Sequence, residues 1–113
     1  MHELSLAVQL VQTAEEAARA ADAKRVTAVV VKIGALSGVA EEALRFAFDV
    51  AAADTLLAQA RLEIHPVSVK VVCPRCGIVE LPSLQRFCCP QCDTPTADVR
   101  TGREIELESI EVE

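Results

Sequence analysis

Cys73-Pro74-Arg75-Cys76-Gly77 and Cys89-Pro90-Gln91-Cys92 are two C-x-x-C turns separated by 12 residues, and they decide how the chain is organised. Two residues between thiolates allow a tight turn that aims both sulfurs at one metal and leaves main-chain N–H groups free to donate to sulfur. Pro at the second position stiffens each turn, and Gly77 permits the first to exit. Paired knuckles of this kind match the zinc-ribbon pattern. Four thiolates on Zn²⁺ carry a net −2, which those donors and Arg75 or Arg86 offset. Four Cys close the tetrahedron, so the expected role is structural, and loss of the metal is expected to unfold a module with almost no core of its own. Other readings of the same residues are a pair of redox dithiols or unrelated buried thiols. Cys88 is left over, as an exchanging ligand, a reactive thiol beside Arg86, or an incidental partly buried thiol. The matching C-P-x-C turns select Cys89 rather than Cys88 as the ligand.

Outside these turns the texture is regular. From Leu4 to about Ala23, Leu4, Ala7, Val8, Val11, Ala14, Ala18 and Ala21 recur on one helical face, widened by Leu6, Leu10 and Ala17, which predicts one long helix lying across a sheet. Arg25 to Ile33 is Val-rich and β-branched and reads as a strand buried on both faces. Gly34-Ala35-Leu36-Ser37-Gly38 supplies turn chemistry. A second helix is expected from about Glu41 to Ala53, burying Leu44, Ala47, Phe48 and Ala51, with Phe46 and Val50 flanking. Arg61 to Val72 reads as one strand in which Pro66 marks an edge position or a bulge. Arg103 to Glu113 alternates Ile105 and Leu107, then Ile110 and Val112, against Glu104, Glu106, Glu108 and Glu111. It is an amphipathic strand with a phase break near Ser109, expected to return and pair with the first sheet.

Composition narrows the function. The 113-residue chain is 51% hydrophobic and 25% charged, with a mean hydropathy of +0.30, which describes a globular protein rather than a disordered one. Its apolar fraction is mostly Ala, Val and Leu, with three Phe and no Trp or Tyr. Such thin side chains give modest burial, so a localised metal crosslink matters. The formal net charge is −6, and both signs are scattered along the chain. No basic tract exists to neutralise phosphates, which argues against a nucleic-acid partner. No basic leader and no uncharged apolar run of about 18 residues is present, so a soluble cytoplasmic protein is expected. In that compartment clustered, odd-numbered Cys point to metal rather than disulfides.

His2 carries a second possibility. A free amino terminus, the main-chain nitrogen of His2 and its imidazole can close fused five- and six-membered chelate rings around a divalent metal of the Ni²⁺ or Cu²⁺ type. Met1 is expected to be retained because His is bulky at the second position, and Glu3 offers a carboxylate or its main-chain nitrogen. Taken alone, the same residues also describe a frayed terminus.

Met1-His2-Glu3-Leu4-Ser5-Leu6, Val31-Lys32-Ile33-Gly34-Ala35-Leu36-Ser37-Gly38, Glu42-Ala43-Leu44-Arg45-Phe46-Ala47-Phe48 and the paired Cys turns together resemble the HypA/HybF family, nickel metallochaperones for [NiFe]-hydrogenase maturation. The resemblance covers essentially residues 1–113. It implies an α/β (α+β) fold with two helices packed on a small mixed three-stranded sheet and a protruding zinc-ribbon module. The corresponding domains are a nickel-binding domain of residues 1–70 plus 102–113 and a zinc-ribbon domain of residues 71–101. It implies Ni(II) as cargo on His2, with Glu3 auxiliary, and structural Zn(II) on Cys73, Cys76, Cys89 and Cys92, in a protein that is not an enzyme. The implied partners are a HypB-type GTPase, the hydrogenase large subunit and urease maturation proteins, and a homodimer belongs to the same set of expectations. Three positions depart from the family pattern: Cys88 is an unusual neighbour to the second knuckle, Asp93 stands where Gly often follows it, and Ala40, with Glu41 next, stands where related chains can place an acidic nickel ligand. His65 reads as a structural or surface residue.

Two further classes compete. A zinc-ribbon nucleic-acid-binding or transcription module calls for Lys/Arg clusters and stacking aromatics, where the ribbon offers Arg75, Arg86 and Phe87. A thiol oxidoreductase calls for reversible disulfide formation at Cys88 or one knuckle.

Overall fold

A computed structural model describes residues 3–113. Helix α1 (Glu3–Ala20) leads into strand β1 (Val26–Gly34), and helix α2 (Glu41–Ala52) leads into β2 (Arg61–Val67). Three short strands, β3 (Lys70–Cys73), β4 (Gly77–Glu80) and β5 (Val99–Thr101), and the longer β6 (Ile105–Val112) complete the order. Among the described residues no helix is long and apolar enough to cross a membrane.

The first sheet has the order β2-β1-β6. Near one end of β1 the Glu113 N–H donates to the Arg25 carbonyl, and at the other the Gly34 N–H donates to Glu104, so β1 and β6 run antiparallel. The Val26 N–H meets the Leu56 carbonyl and the Ala35 N–H meets Val67, so β1 and β2 run parallel. The sheet is therefore mixed, and α2 makes the crossover that a parallel pair requires. The Val-rich β1 is buried along nearly its whole length, as its lack of alternation predicts for the central strand. A second, three-stranded sheet has the order β4-β3-β5, with β3 antiparallel to both neighbours.

The chain divides into two compact units. In the first, comprising the residues through Val31, Gly38–His65 and Glu106–Glu113, α1 and α2 touch each other and bury Ala7, Leu10, Val11, Ala14, Ala18, Leu44, Ala47, Phe48 and Ala52. The helix face is narrower than periodicity suggests. Leu4 and Val8 belong to the apolar stripe yet are 54% and 39% exposed, and Ala17 and Ala21 are exposed as well. Ala52, rather than Ala51, is the buried alanine at the end of α2.

The second unit, Lys32–Ser37 and Pro66–Ile105, has a small core of its own: Val69, Val71, Cys73, Val79, Leu81 and Cys89, joined by Leu36, Phe87, Cys92 and Val99. That core is larger than expected for the module, but three of its members are cysteines of the two knuckles. The single strand expected over Arg61 to Val72 is two strands in different sheets. Pro66 sits in β2, an edge strand, where a missing N–H is tolerated. The break at Ser68 and Val69 is held by Thr101, whose hydroxyl donates to the Ser68 carbonyl at 2.8 Å and accepts the Lys70 N–H at 3.1 Å.

Gly34 also departs from its expected turn role. It is the last residue of β1, and a Cβ there would land on the Gly102 carbonyl, with the Arg103 nitrogen 2.6 Å away. Only hydrogen fits between these two backbones. Gly102 in turn has a φ of +117° and lies against Val69. Gly34→Ala is expected to destabilise the protein by about 3 kcal/mol, because backbone rather than a flexible side chain must give way. Chemical denaturation of the variant checks this, and a loss under about 0.5 kcal/mol, the ordinary surface range, would contradict the close approach.

Candidate metal centre

Cys73 ends β3, and its cross-strand partner in the β3–β4 hairpin is Gly77, so the first knuckle is the hairpin turn itself. Gly77 has a φ of +79°, which lets the chain leave Cys76 directly into β4. The Arg75 N–H lies 3.4 Å from Cys73 Sγ, the main-chain donor that this turn provides. The second knuckle closes in a similar way. The Asp93 N–H donates to the Cys89 carbonyl at 2.8 Å, and the Cys89 N–H donates to the Thr94 carbonyl at 2.8 Å. Asp93 has a φ of +64°, the left-handed region that Gly favours and Asp tolerates, so the unusual residue keeps the conformation the turn requires.

The sulfurs of Cys73, Cys76, Cys89 and Cys92 all lie within 4.8 Å of one another, the one cluster of three or more metal-ligating side chains among the described residues. Cys73 Sγ and Cys92 Sγ are 3.5 Å apart. A tetrahedron with Zn–S bonds of about 2.3 Å has edges of about 3.8 Å, so the four positions fit a Zn²⁺ ion with small adjustments. Cys73 and Cys89 are buried, Cys92 is half-buried and Cys76 is exposed. Hydrogen bonds from Thr94, side chain first and main chain second, bring the Cys92 thiol down to about 6. Hydrogen bonding to Cys92 and then Cys89 pushes Cys76 up to about 12. At neutral pH the metal-free cluster thus holds a proton on Cys76, which metal uptake must expel. Metal affinity therefore weakens as pH falls.

Cys88 is outside the cluster. It is half-buried, and its main chain bridges to Pro95. The Arg86 guanidinium interacts first with Cys88 and then with Asp93, and both hold it further in its charged form. Arg100 pairs with Asp98 at 3.0 Å and holds that carboxyl below its ordinary range. Two of the ribbon's cations, Arg86 and Arg100, are thus engaged by local acids.

His2 lies outside the described residues. Glu3 opens α1, and its carboxylate accepts the N–H of Ala40 at 3.1 Å. Ala40 is the N-cap of α2 and offers no side-chain cap of its own. The acid beside the expected nickel ligand therefore reaches position 40 and supplies the acceptor that the helix end lacks. Next to it, Leu4, Ala43, Phe46, Ala47 and Val50 line an apolar groove between the helices. His65 is exposed, with Glu108 at 3.5 Å and Glu63 at 4.0 Å, the surface role expected of it.

Two threonines escaped the sequence reading. Thr96, a buried polar side chain, donates its hydroxyl to the Val72 carbonyl at 2.6 Å, and its N–H donates to Phe87 at 2.9 Å. It straps the strand leading into the first knuckle to the segment leading into the second. Thr94 Oγ1 lies 3.1 Å from Cys92 Sγ. A hydroxyl two residues beyond the last Cys was the available signal.

Known proteins resemble this arrangement along its whole length. The family described as HypA, hydrogenase/urease nickel incorporation, metallochaperone, matches residues 1–112. A hydrogenase maturation factor HypA from Roseiflexus sp. (strain RS-1) is 51% identical, with 100% of this chain and 93% of the relative covered. Another from Chloroflexus aggregans is 46% identical, with 98% of each covered. The solution structure of the Ni metallochaperone HypA from Helicobacter pylori superposes with a TM-score of 0.70 at 28% identity, covering 99% of this chain and 97% of that one.

Proposed function

This chain belongs to the HypA family, and from that premise we propose that it is a nickel metallochaperone delivering Ni(II) during maturation of [NiFe] hydrogenase. The observation that carries the reading is the full-length family match together with a sulfur cluster that fits a metal. In this reading Ni(II) is cargo, taken by the amino-terminal amine, the main-chain nitrogen and imidazole of His2, with Glu3 auxiliary. Zn(II) is resident on Cys73, Cys76, Cys89 and Cys92. The contrast in donors serves the task. Nitrogen and oxygen ligands near a terminus suit an exchangeable divalent ion, whereas four thiolates keep a structural one.

The first unit would be the nickel-binding domain and the second the zinc ribbon, working in the cytoplasm. A HypB-type GTPase and the hydrogenase large subunit are the proposed partners, with urease maturation proteins as a further client and a homodimer as the working assembly. The chain would act as a carrier rather than an enzyme. The nucleic-acid reading is not favoured, since Arg86 and Arg100 are paired with Asp93 and Asp98. Nickel transfer tests the proposal. Untagged, nickel-loaded chain mixed with nickel-free large subunit and a competing chelator is expected to pass nickel to the subunit faster than a free nickel salt at equal concentration. Transfer no faster than from the salt would overturn it.

A further inference from the structure

We propose that Thr94 is a positioning residue of the four-cysteine centre, holding both ligands of the second knuckle at once. The inference rests on the reading that these cysteines bind zinc. Thr94 accepts the Cys89 N–H through its carbonyl at 2.8 Å, and its hydroxyl stands 3.1 Å from Cys92 Sγ. A thiolate on a metal can only accept, so in the loaded centre the hydroxyl is the donor and Cys92 the acceptor. The bond therefore does two things. It fixes the direction in which the Cys92 sulfur lone pairs point, and it draws charge from a centre that carries net −2.

Each half of the site has such a donor. The Arg75 N–H serves Cys73 at 3.4 Å, and the Thr94 hydroxyl serves Cys92, and these two sulfurs lie 3.5 Å apart. The donor on Cys73 is main chain and survives any substitution other than Pro. Cys92 also has a main-chain donor in Thr94, but its larger hydrogen bond is the Thr94 hydroxyl, and that one depends on a single side chain. Asp93, at φ +64° and bonded by its N–H to the Cys89 carbonyl, turns the chain so that Thr94 returns over the sulfur, and Thr94 is half-buried there. Thr94 thus controls how tightly the ribbon keeps its metal, without being a ligand.

The test uses the full, untagged, zinc-loaded chain, with zinc affinity measured by competition against a chromogenic chelator. Thr94→Val keeps the shape of the side chain and removes the hydroxyl. It is expected to weaken zinc binding by about 10- to 100-fold, the ordinary cost of an outer-shell partner. Thr94→Ser, which restores the hydroxyl, is expected to recover most of that loss. In the Co(II)-substituted protein the sulfur-to-metal charge-transfer band is expected to shift in Thr94→Val and return in Thr94→Ser, a change that lost packing alone does not cause. Wild-type affinity in Thr94→Val, or a Thr94→Ser protein no better than Thr94→Val, would overturn the role of Thr94 while leaving the zinc reading intact. A wild-type chain without stoichiometric zinc would overturn both.

Discussion

A His2→Ala protein, produced without a tag so that Met1 keeps its free amine, is expected to bind no stoichiometric nickel while retaining its zinc. The proposed chelate needs the amine, the main-chain nitrogen and the imidazole together. Removing the imidazole opens the six-membered ring and leaves nitrogens that compete poorly with water and buffer. The loss should exceed the roughly 10–100-fold that removal of an outer-shell partner costs, because a donor to the ion is gone. The same geometry makes an amino-terminal extension equivalent to the substitution, since it converts the amine into an amide. Nickel titration by equilibrium dialysis, with elemental analysis of zinc on the same samples, separates the two sites. Unchanged nickel affinity in His2→Ala would remove His2 from the site, and simultaneous loss of zinc would show that the two centres are not independent.

Metal removal from the cysteine cluster is the second large effect. A strong chelator, or Cys73→Ser, is expected to unfold the second unit and leave the first folded. Structural zinc contributes on the order of 10–16 kcal/mol in small zinc modules. The second unit has little to set against that loss: Val69, Val71, Val79 and Leu81 are the buried aliphatic side chains of its core cluster, and Cys73 and Cys89 are core residues as well as proposed ligands. Cys73→Ser would place a hydroxyl at a position only 1% exposed, next to three thiols with no metal to order them. Both helices belong to the first unit, so the helical circular dichroism should persist. Amide resonances of residues 66–105 should collapse toward random-coil shifts over the same titration. Retained dispersion for those residues in chelator would show that the aliphatic cluster suffices.

The sequence alone determined the features that depend on spacing along one element. The 12 residues between two C-P-x-C turns locate the four sulfurs in one cluster and exclude Cys88. An unbroken Val-rich run makes β1 the central strand of its sheet, and the i, i+3, i+4 pattern of Leu44, Ala47 and Phe48 gives the buried face of α2. These are short-range regularities, set by turn geometry and by the 2.0 and 3.6 periods of strand and helix. Only the tertiary structure decided where neighbouring elements end. Leu4 and Val8 lie on an apolar stripe but remain exposed, because periodicity says which residues share a face and not how far the packing partner extends. The run from Arg61 to Val72 serves two sheets because Thr101, some thirty residues later, fills the break at Ser68. Gly34 looks like a turn glycine and is instead the floor of a backbone crossing with Gly102. The Glu3 carboxylate meets Ala40, and Thr94 its sulfur, through bonds of a kind that many sequences permit and only a folded backbone selects. Hydrogen bonds and close approaches between distant segments carry no period, so they become legible only when the chain has brought their partners together.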